Sequence, residues 1–343
     1  MSGKGIRMTP RLTEHEIRPA ALFDGYLDLV AVDIGHFFAD SPREPMHCPT
    51  CDLVGEPAFE KMGFAYRECM QCWALWVSPR PAYEAFVAFY SDSPSARYWS
   101  EIFYPAVAEV RREKLWRPKA LLVAEIAAAE ADAFANIIDI GGGHGVFAQE
   151  FRLISDCSVH VIEPSPQSAE VCRSHGIPVI QSFLEEVEPA QLPAGRSLFT
   201  SFELFEHVHD PRQWLGAVAE LMRPNDLLVL TTLSSLGLDI RTLWEASASV
   251  NPPHHINFLN PSAMSGLATR VGLEPVRVFT PGVLDLDIMR NNREKVQDRF
   301  WRSVIDTADD REIAEWQTLV SEAGRSSHMW AVLRKPPQDQ TSR

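Results

Sequence analysis

The second half of the chain alternates short apolar runs with amphipathic stretches. The runs NIIDI (136–140), SVHVI (158–162), 179–180, 197–201 and LLVLTT (227–232) are too short for helices. Their near-continuous apolar character suits strands covered on both faces. Helix signatures lie between them. Ser165-Pro166, Asp210-Pro211 and Asn260-Pro261 each set a capping side chain before a proline at the first helical position, and Gly176 and Gly272 close two of these segments. A further helix is expected near 146–153. Two last strands are expected at 276–279 and 329–333, separated by a helical insertion over about 286–325 and paired as an antiparallel edge. This order predicts an α/β fold with a doubly wound, mostly parallel seven-stranded sheet.

Before residue 136 the texture changes. An amphipathic helix is expected over 19–38 and a short one over 82–91. SDSPSARYW (91–99) is rich in Ser and Pro and predicts a loop. From 100 to 135 the pattern is helical, with Pro105 and Pro118 as starts or breaks. The expected organisation is an N-terminal helix plus a small metal-binding module (1–90), a helical cap or linker (91–135) and the α/β domain (136–343).

The metal module rests on cysteine spacing. Cys48 and Cys51, then Cys69 and Cys72, form two CxxC pairs joined by residues 52–68. That spacing lets four thiolates surround one Zn²⁺, and with all four positions filled by protein the expected role is structural. The N-terminal MSGKGIRMTPRLTEHEIRP has no apolar segment of the secretory kind, which disfavours a disulfide framework and predicts a cytoplasmic location. Cys157 and Cys172 stand alone and are expected to be small core residues.

Composition narrows the classes further. With 45% apolar residues the chain can bury a core, and no run approaches the roughly 20 apolar residues of a bilayer span. There are 32 basic and 46 acidic residues, a net charge of −14, which argues against a protein that grips nucleic acid through its phosphates. A homo-oligomer is compatible with the sequence, which does not specify one.

The sharpest signal in the α/β half is Asp139-Ile140-Gly141-Gly142-Gly143-His144-Gly145, a glycine-rich turn between a strand and a helix. Glycines there let the backbone approach a ligand at a helix N-terminus. Glu163 ends the next strand, where a carboxylate can accept both hydroxyls of a ribose. This D-x-G-x-G-x-G turn, Glu163 and the segment SFELFEHVHDP (201–211) together resemble class I S-adenosylmethionine (SAM)-dependent methyltransferases, whose SAM domain is Rossmann-like. The resemblance covers about 136–335. It implies that Asp139, Gly141 and Gly143, with Gly142 and Gly145 completing the turn, line the pocket for the amino-acid half of SAM. It also implies that Glu163 holds the ribose and that Ser182 and Phe183 lie near the adenine. Phe202, Glu203, Glu206, His207, Asp210 and Pro211 match the family's fourth motif, with Phe202 counted among the cofactor residues. Ser197 departs from the many relatives that carry an acid at that strand's start. The four-Cys module before this core and P-H-H-I-N-F (253–258) after it are similar to a bacterial group linked to sugar and surface-polysaccharide methylation.

Methyl transfer to a hydroxyl, or to a carbon beside a carbonyl, needs a proton removed, and His is suited to that near neutral pH. His207, His254 and His255 are the candidates, while His144 is expected to pack against SAM or solvent. Arg97, Tyr98 and Trp99 have the chemistry to contact a nucleotide-sugar, Trp244 sits where specificity elements occur, and 289–316 reads as a lid or dimer surface. Three functions compete. The first is a methyltransferase acting on a small-molecule acceptor, with a sugar or nucleotide-sugar as the leading class. The second is an RNA methyltransferase using the zinc module, disfavoured because Lys61 and Arg67 are the only basic residues between 52 and 68. The third is a non-catalytic protein that keeps the SAM fold.

Overall fold

Alternating side chains on the apolar runs feed two separate cores, and that places a sheet in the middle of the molecule. In the computed structural model, which describes residues 12–130 and 132–337, the first part of the expected 1–90 segment and the last residues of 136–343 lie outside the described residues. Five strands precede the α/β region proper in two small antiparallel sheets: β1 (Arg43–Glu44) pairs with β5 (Arg80–Pro81), and β2 (Glu56–Lys61), β3 (Phe64–Glu68) and β4 (Leu75–Val77) pair in succession. The large sheet holds β6 (Asn136–Ile140), β7 (Ser158–Ile162), β8 (Val179–Ile180), β9 (Ser197–Phe202) and β10 (Leu227–Leu233). After β11 (Asn257–Phe258), which belongs to the sheet of β2 to β4, β12 (Glu274–Phe279) and β13 (His328–Arg334) complete it.

The seven strands run in the order β12-β13-β10-β9-β6-β7-β8. β6 to β10 are parallel, and β13 is antiparallel to both of its neighbours, β10 and β12. The last two strands thus form the expected antiparallel edge pair. β13 is inserted between β10 and β12, so the edge strand β12 points the same way as the parallel set. Ile138, Ile140, Phe199, Leu228 and Leu230 face the helices Pro211–Leu221 and Pro261–Arg270. Ile137, Val159, Val161, Leu198 and Val229 face Arg117–Ala128 and Val146–Arg152. Burial on both faces explains why these strands read as continuous apolar runs.

The loop expected at 91–99 is instead helical. Ser93 Oγ accepts the Ala96 N–H, Pro94 takes the first position of the helix Pro94–Tyr98, and Asp33 Oδ2 accepts the Ser95 N–H. The Ser and Pro that suggested a loop are a helix cap. Pro105 and Pro118 do not end the helical run either. Each follows a wide π turn, Trp99–Phe103 and Arg112–Trp116, and sits second in the next helix, where its missing N–H is tolerated. The insertion forms three helices, Asp285–Asn291, Arg299–Thr307 and Asp310–Glu322. No described helix is long and apolar enough to cross a membrane.

The Cys segment is tied to the α/β region through a shared sheet ordered β11-β4-β3-β2. Asn257 pairs with Trp76 and Phe258 with Leu75, while Val77 N–H donates to the Ile256 carbonyl at 3.0 Å. Cys48, Cys69 and Trp76 are buried in the same apolar core as β6 and β9.

Candidate active site and cysteine cluster

The glycine turn follows β6 because its backbone requires it. Gly141, Gly143 and Gly145 all have positive φ. A Cβ on Gly141 would lie 2.7 Å from Leu204, and one on Gly145 would lie 2.9 Å from Cys172 and Ile177. Gly143 differs: a Cβ there would meet nothing within 4 Å, so it borders open space. Glu163 at the end of β7 accepts the Gly143 N–H through Oε2 and the Ser165 N–H through Oε1, each at 2.9 Å. One lone pair on each oxygen is used, leaving acceptor capacity toward that space. Asp139 sits beneath the turn, 2% exposed, with Thr200 Oγ1 donating to Oδ1 at 2.8 Å. Burial pushes its carboxyl up to about 7.

Ser182 donates to Glu186, and Phe183 is exposed, its ring 6.5 Å from that of Tyr83. Phe202 is packed inside an aromatic cluster with Phe147, Trp116 and Trp330, so its ring forms the wall beneath the cleft. Cys172 is buried and its thiol donates to the Gly143 carbonyl at 3.2 Å, and Cys157 donates to the Phe134 carbonyl.

At the carboxyl ends of β9 and β10 the three candidate histidines converge. His207 and His255 have ring centroids 4.9 Å apart, and His207 and His254 6.0 Å apart. What joins them is the Glu206 carbonyl, which accepts N–H groups from Ile256 (2.9 Å) and Asn257 (3.2 Å). Arg80 reinforces this contact from a fully buried position, donating to His209 O, Ile256 O and Asn257 Oδ1. His255 Nδ1 faces the Ser249 carbonyl at 2.7 Å. A carbonyl only accepts, so Nδ1 carries the proton and Nε2 is the basic nitrogen. His207 Nδ1 lies 3.2 Å from Tyr90 Oη. His254 is 7% exposed, and its Nε2 is taken by Tyr26 Oη at 2.6 Å. Burial lowers all three imidazoles, His254 to about 3 and His255 to about 4, so they are neutral at pH 7.

Two carboxylates complete the cleft. Glu203 accepts from Lys119 (2.7 Å), Thr231 Oγ1 (2.8 Å) and His328 (3.0 Å), and Lys119 and His328 hold it far below the usual range against the desolvation that would raise it. Glu206 accepts from Thr232, and burial raises it to about 8. Tyr26, Tyr90, Lys119 and His328 were not identifiable as site residues from sequence, because each comes from an element distant from the glycine turn.

The four module cysteines gather as their spacing requires. Their Sγ atoms all lie within 4.8 Å of one another, with Cys48 and Cys72 3.5 Å apart and none disulfide-bonded. A tetrahedral site with Zn–S near 2.3 Å has sulfurs about 3.8 Å apart, so the donor set fits the ion. The two knuckles share one backbone plan. Asp52 and Trp73, each just after the second Cys, have φ of 64° and 60°, and each donates its N–H to the carbonyl of the first Cys. The Cys72 hydrogen bond draws Cys48 down to about 5, while burial pushes Cys51 up to about 11.

Arg97 is exposed and lies outside the cleft, whereas Trp99 stacks on Phe103 with centroids 4.3 Å apart. Trp244 packs edge-on to Phe59.

Residues 109–278 match the family model described as a methyltransferase domain. Over 127 residues the chain is 33% identical to the mitochondrial ubiquinone biosynthesis O-methyltransferase of Schizosaccharomyces pombe, covering 35% of this chain and 44% of that protein. It is 26% identical over 153 residues to the ubiquinone biosynthesis O-methyltransferase of Xanthomonas euvesicatoria pv. vesicatoria, covering 41% and 64%. The chain therefore spans less than two thirds of these curated relatives. A solved structure of the plantazolicin methyltransferase BamL, with a triazolic desmethylPZN analog and SAH, aligns with TM-score 0.48 at 15% identity over 73% of this chain and 94% of that one.

Proposed function

We propose that the protein transfers the methyl group of SAM to a hydroxyl of a small-molecule acceptor. The observation that carries this reading is a juxtaposition at the carboxyl end of the parallel sheet. There Gly143, bordering open space beside Glu163, follows β6, and His255 is held beside Glu206 and His207, which follow the neighbouring strand β9; its Nε2 makes no hydrogen bond among the described residues. SAM, when bound, supplies a methyl group already activated on a sulfonium. The chain's own residues bind and orient. Gly143 leaves room for the amino-acid portion, the remaining lone pairs of Glu163 accept the ribose hydroxyls, and Ser182 and Phe183 flank the adenine. Asp139 braces the turn from below through Thr200.

His255 takes the acceptor's hydroxyl proton at Nε2. Its Nδ1 bond to Ser249 fixes the tautomer, and the nearby charge of Glu203 favours the imidazolium that forms. His207 lies beside it and is the second candidate. His254 serves instead as the partner of Tyr26, because that contact occupies its Nε2. Cys48, Cys51, Cys69 and Cys72 hold a structural Zn²⁺ that supports the β4–β11 pairing beneath His255.

A hydroxyl acceptor agrees with the O-methyltransferase names of the relatives. A sugar or nucleotide-sugar is one such class, and only the order of Cys module, core and 253–258 segment points to it. An RNA acceptor is disfavoured by a specific observation: Lys61 donates to Ser247 O, and Arg67 donates to Val54 O and Gly55 O. The hairpin's cations are thus held by the protein's own carbonyls.

The test is incubation with methyl-labelled SAM and a fractionated cell extract. Label in an acid-soluble small-molecule fraction supports the reading. Label in RNA would replace the acceptor class, and SAH binding without transfer to any fraction would make the chain a non-catalytic SAM-fold protein.

A further inference from the structure

Two arginines, Arg111 and Arg18, form no ion pair among the described residues. Arg111 sits between Trp99 and Tyr104, its guanidinium carbon 5.7 and 5.9 Å from the ring centroids. Its Nε is buried without a hydrogen-bond partner. Arg18 lies over Phe23 at 5.6 Å. Among the described residues, no carboxylate pairs with either guanidinium. Most other arginines near the core behave differently: Arg80, Arg112, Arg196 and Arg241 all donate to carbonyls or carboxylates.

Their position is fixed by a chain of ring contacts. His144 in the glycine turn meets Tyr104 at 5.5 Å, Arg111 lies over Tyr104 and Trp99, Trp99 meets Tyr26 at 5.1 Å, and Tyr26 binds His254. Arg111 therefore stands between the cofactor turn and the histidines, and Arg18 joins this group through Phe23, whose ring lies 5.9 Å from that of Tyr26 and 6.1 Å from that of Phe103. Arg18's charge acts on Arg111 and, on the histidine side, on Tyr26 and His255. The carboxylate whose charge does reach Arg111 is Glu203, already engaged by Lys119 and His328.

We propose that Arg111 and Arg18 together hold an anionic group, a carboxylate or a phosphate, carried by the acceptor. A desolvated guanidinium flanked by aromatic rings forms strong, charge-assisted bonds to such groups. Leaving the buried Arg111 cation unpaired is costly unless a ligand neutralises it. The inference rests on the methyltransferase reading, since it assigns the group to that reaction's acceptor.

The experiment titrates full-length, SAH-saturated protein with benzoate, with inorganic phosphate and with neutral benzamide, read by ligand-observed NMR. Benzoate or phosphate binds, and benzamide binds at least about tenfold more weakly. Arg111→Met and Arg18→Met each weaken the anion about tenfold or more, with SAH affinity within about twofold of wild type. Preference between benzoate and phosphate identifies which anion the acceptor carries. Competition between the anion and SAH would assign the arginines to the cofactor's carboxylate and overturn the proposal. So would loss of SAH affinity in Arg111→Met with unchanged anion binding, or no anion binding to wild type. If one variant fails to fold, the other carries the test. Wild-type protein that binds no SAH defeats the methyltransferase reading separately, and the anion titration is then read without SAH.

Discussion

His255 donates its Nδ1 proton to the carbonyl oxygen of Ser249 at 2.7 Å, leaving Nε2 as the basic nitrogen facing the cleft. The backbone around it is clamped from two sides. Tyr66 Oη, on the Cys-module strand β3, donates to the His255 carbonyl at 2.8 Å, and Ile256 N–H donates to the Glu206 carbonyl. A base position is thus assembled from three segments far apart in sequence.

His255→Phe is expected to lower methyl transfer by about a hundredfold or more, the usual contribution of a positioned base, with SAH affinity unchanged. His254→Phe should lower stability by about 1–2 kcal/mol through the lost Tyr26 hydrogen bond and change turnover far less. Label incorporation into the acceptor fraction and urea unfolding measure the two effects. Wild-type turnover in His255→Phe would move the base elsewhere.

Gly143→Ala isolates cofactor contact from folding. The new Cβ meets no protein atom within 4 Å, so the cost to the fold is the positive φ of 54°, about 1 kcal/mol. SAH affinity should fall at least about tenfold, because that Cβ occupies space reserved for the amino-acid portion. Calorimetric titration checks it, with Gly141→Ala as a contrast: its Cβ would strike Leu204 at 2.7 Å and is expected to harm folding. Unchanged SAH affinity in folded Gly143→Ala would remove the cofactor assignment.

How much of this was legible in the sequence depends on the range of the interaction involved. The five parallel strands, the capped helices and the glycine turn were readable because each is encoded locally, by apolar runs and by Ser165, Asp210 and Asn260 before proline. The helix Pro94–Tyr98 carries the same local signature, Ser93 before Pro94, but the surrounding Ser- and Pro-rich stretch reads as a loop, and the contact that secures it, Asp33 with the Ser95 N–H, comes from another helix. The inserted position of β13 depends on pairing with β10, from which it is separated by most of the C-terminal third. Tyr26, Tyr90, Lys119 and Arg111 reach the site only through tertiary packing. The buried stripe Tyr26, Val30, Asp33 was the one partial signal, since helical spacing put two polar groups on an inward face.

Cys69→Ser tests both the metal and its link to the cleft. Purified wild type is expected to carry one zinc per chain, and the variant to lose it together with several kcal/mol of stability. Because β4 of the module pairs with β11 beside His255, the variant or chelator-treated wild type should also lose turnover. Elemental analysis and thermal unfolding provide the readouts. Stable, metal-free wild type would show that packing of Cys48 and Cys69 in the core suffices without an ion.

Asp139→Asn probes the brace beneath the glycine turn through pH. The folded carboxyl titrates at about 7 against an ordinary value of 3.8, so the folded chain holds its proton more tightly than the unfolded chain. Between about pH 4 and 7 the native state binds more protons, and stability falls as pH rises. From pH 5 to 8 this contribution amounts to about 2–3 kcal/mol. Asn keeps an oxygen to accept from Thr200 and does not titrate, so urea unfolding of Asp139→Asn should show a flatter fall over that interval. Equal losses in wild type and variant would place the pH dependence on other groups. The variant is also expected to keep its SAH affinity within a few-fold, because Asp139 acts on the turn from below and Glu163 remains to hold Gly143.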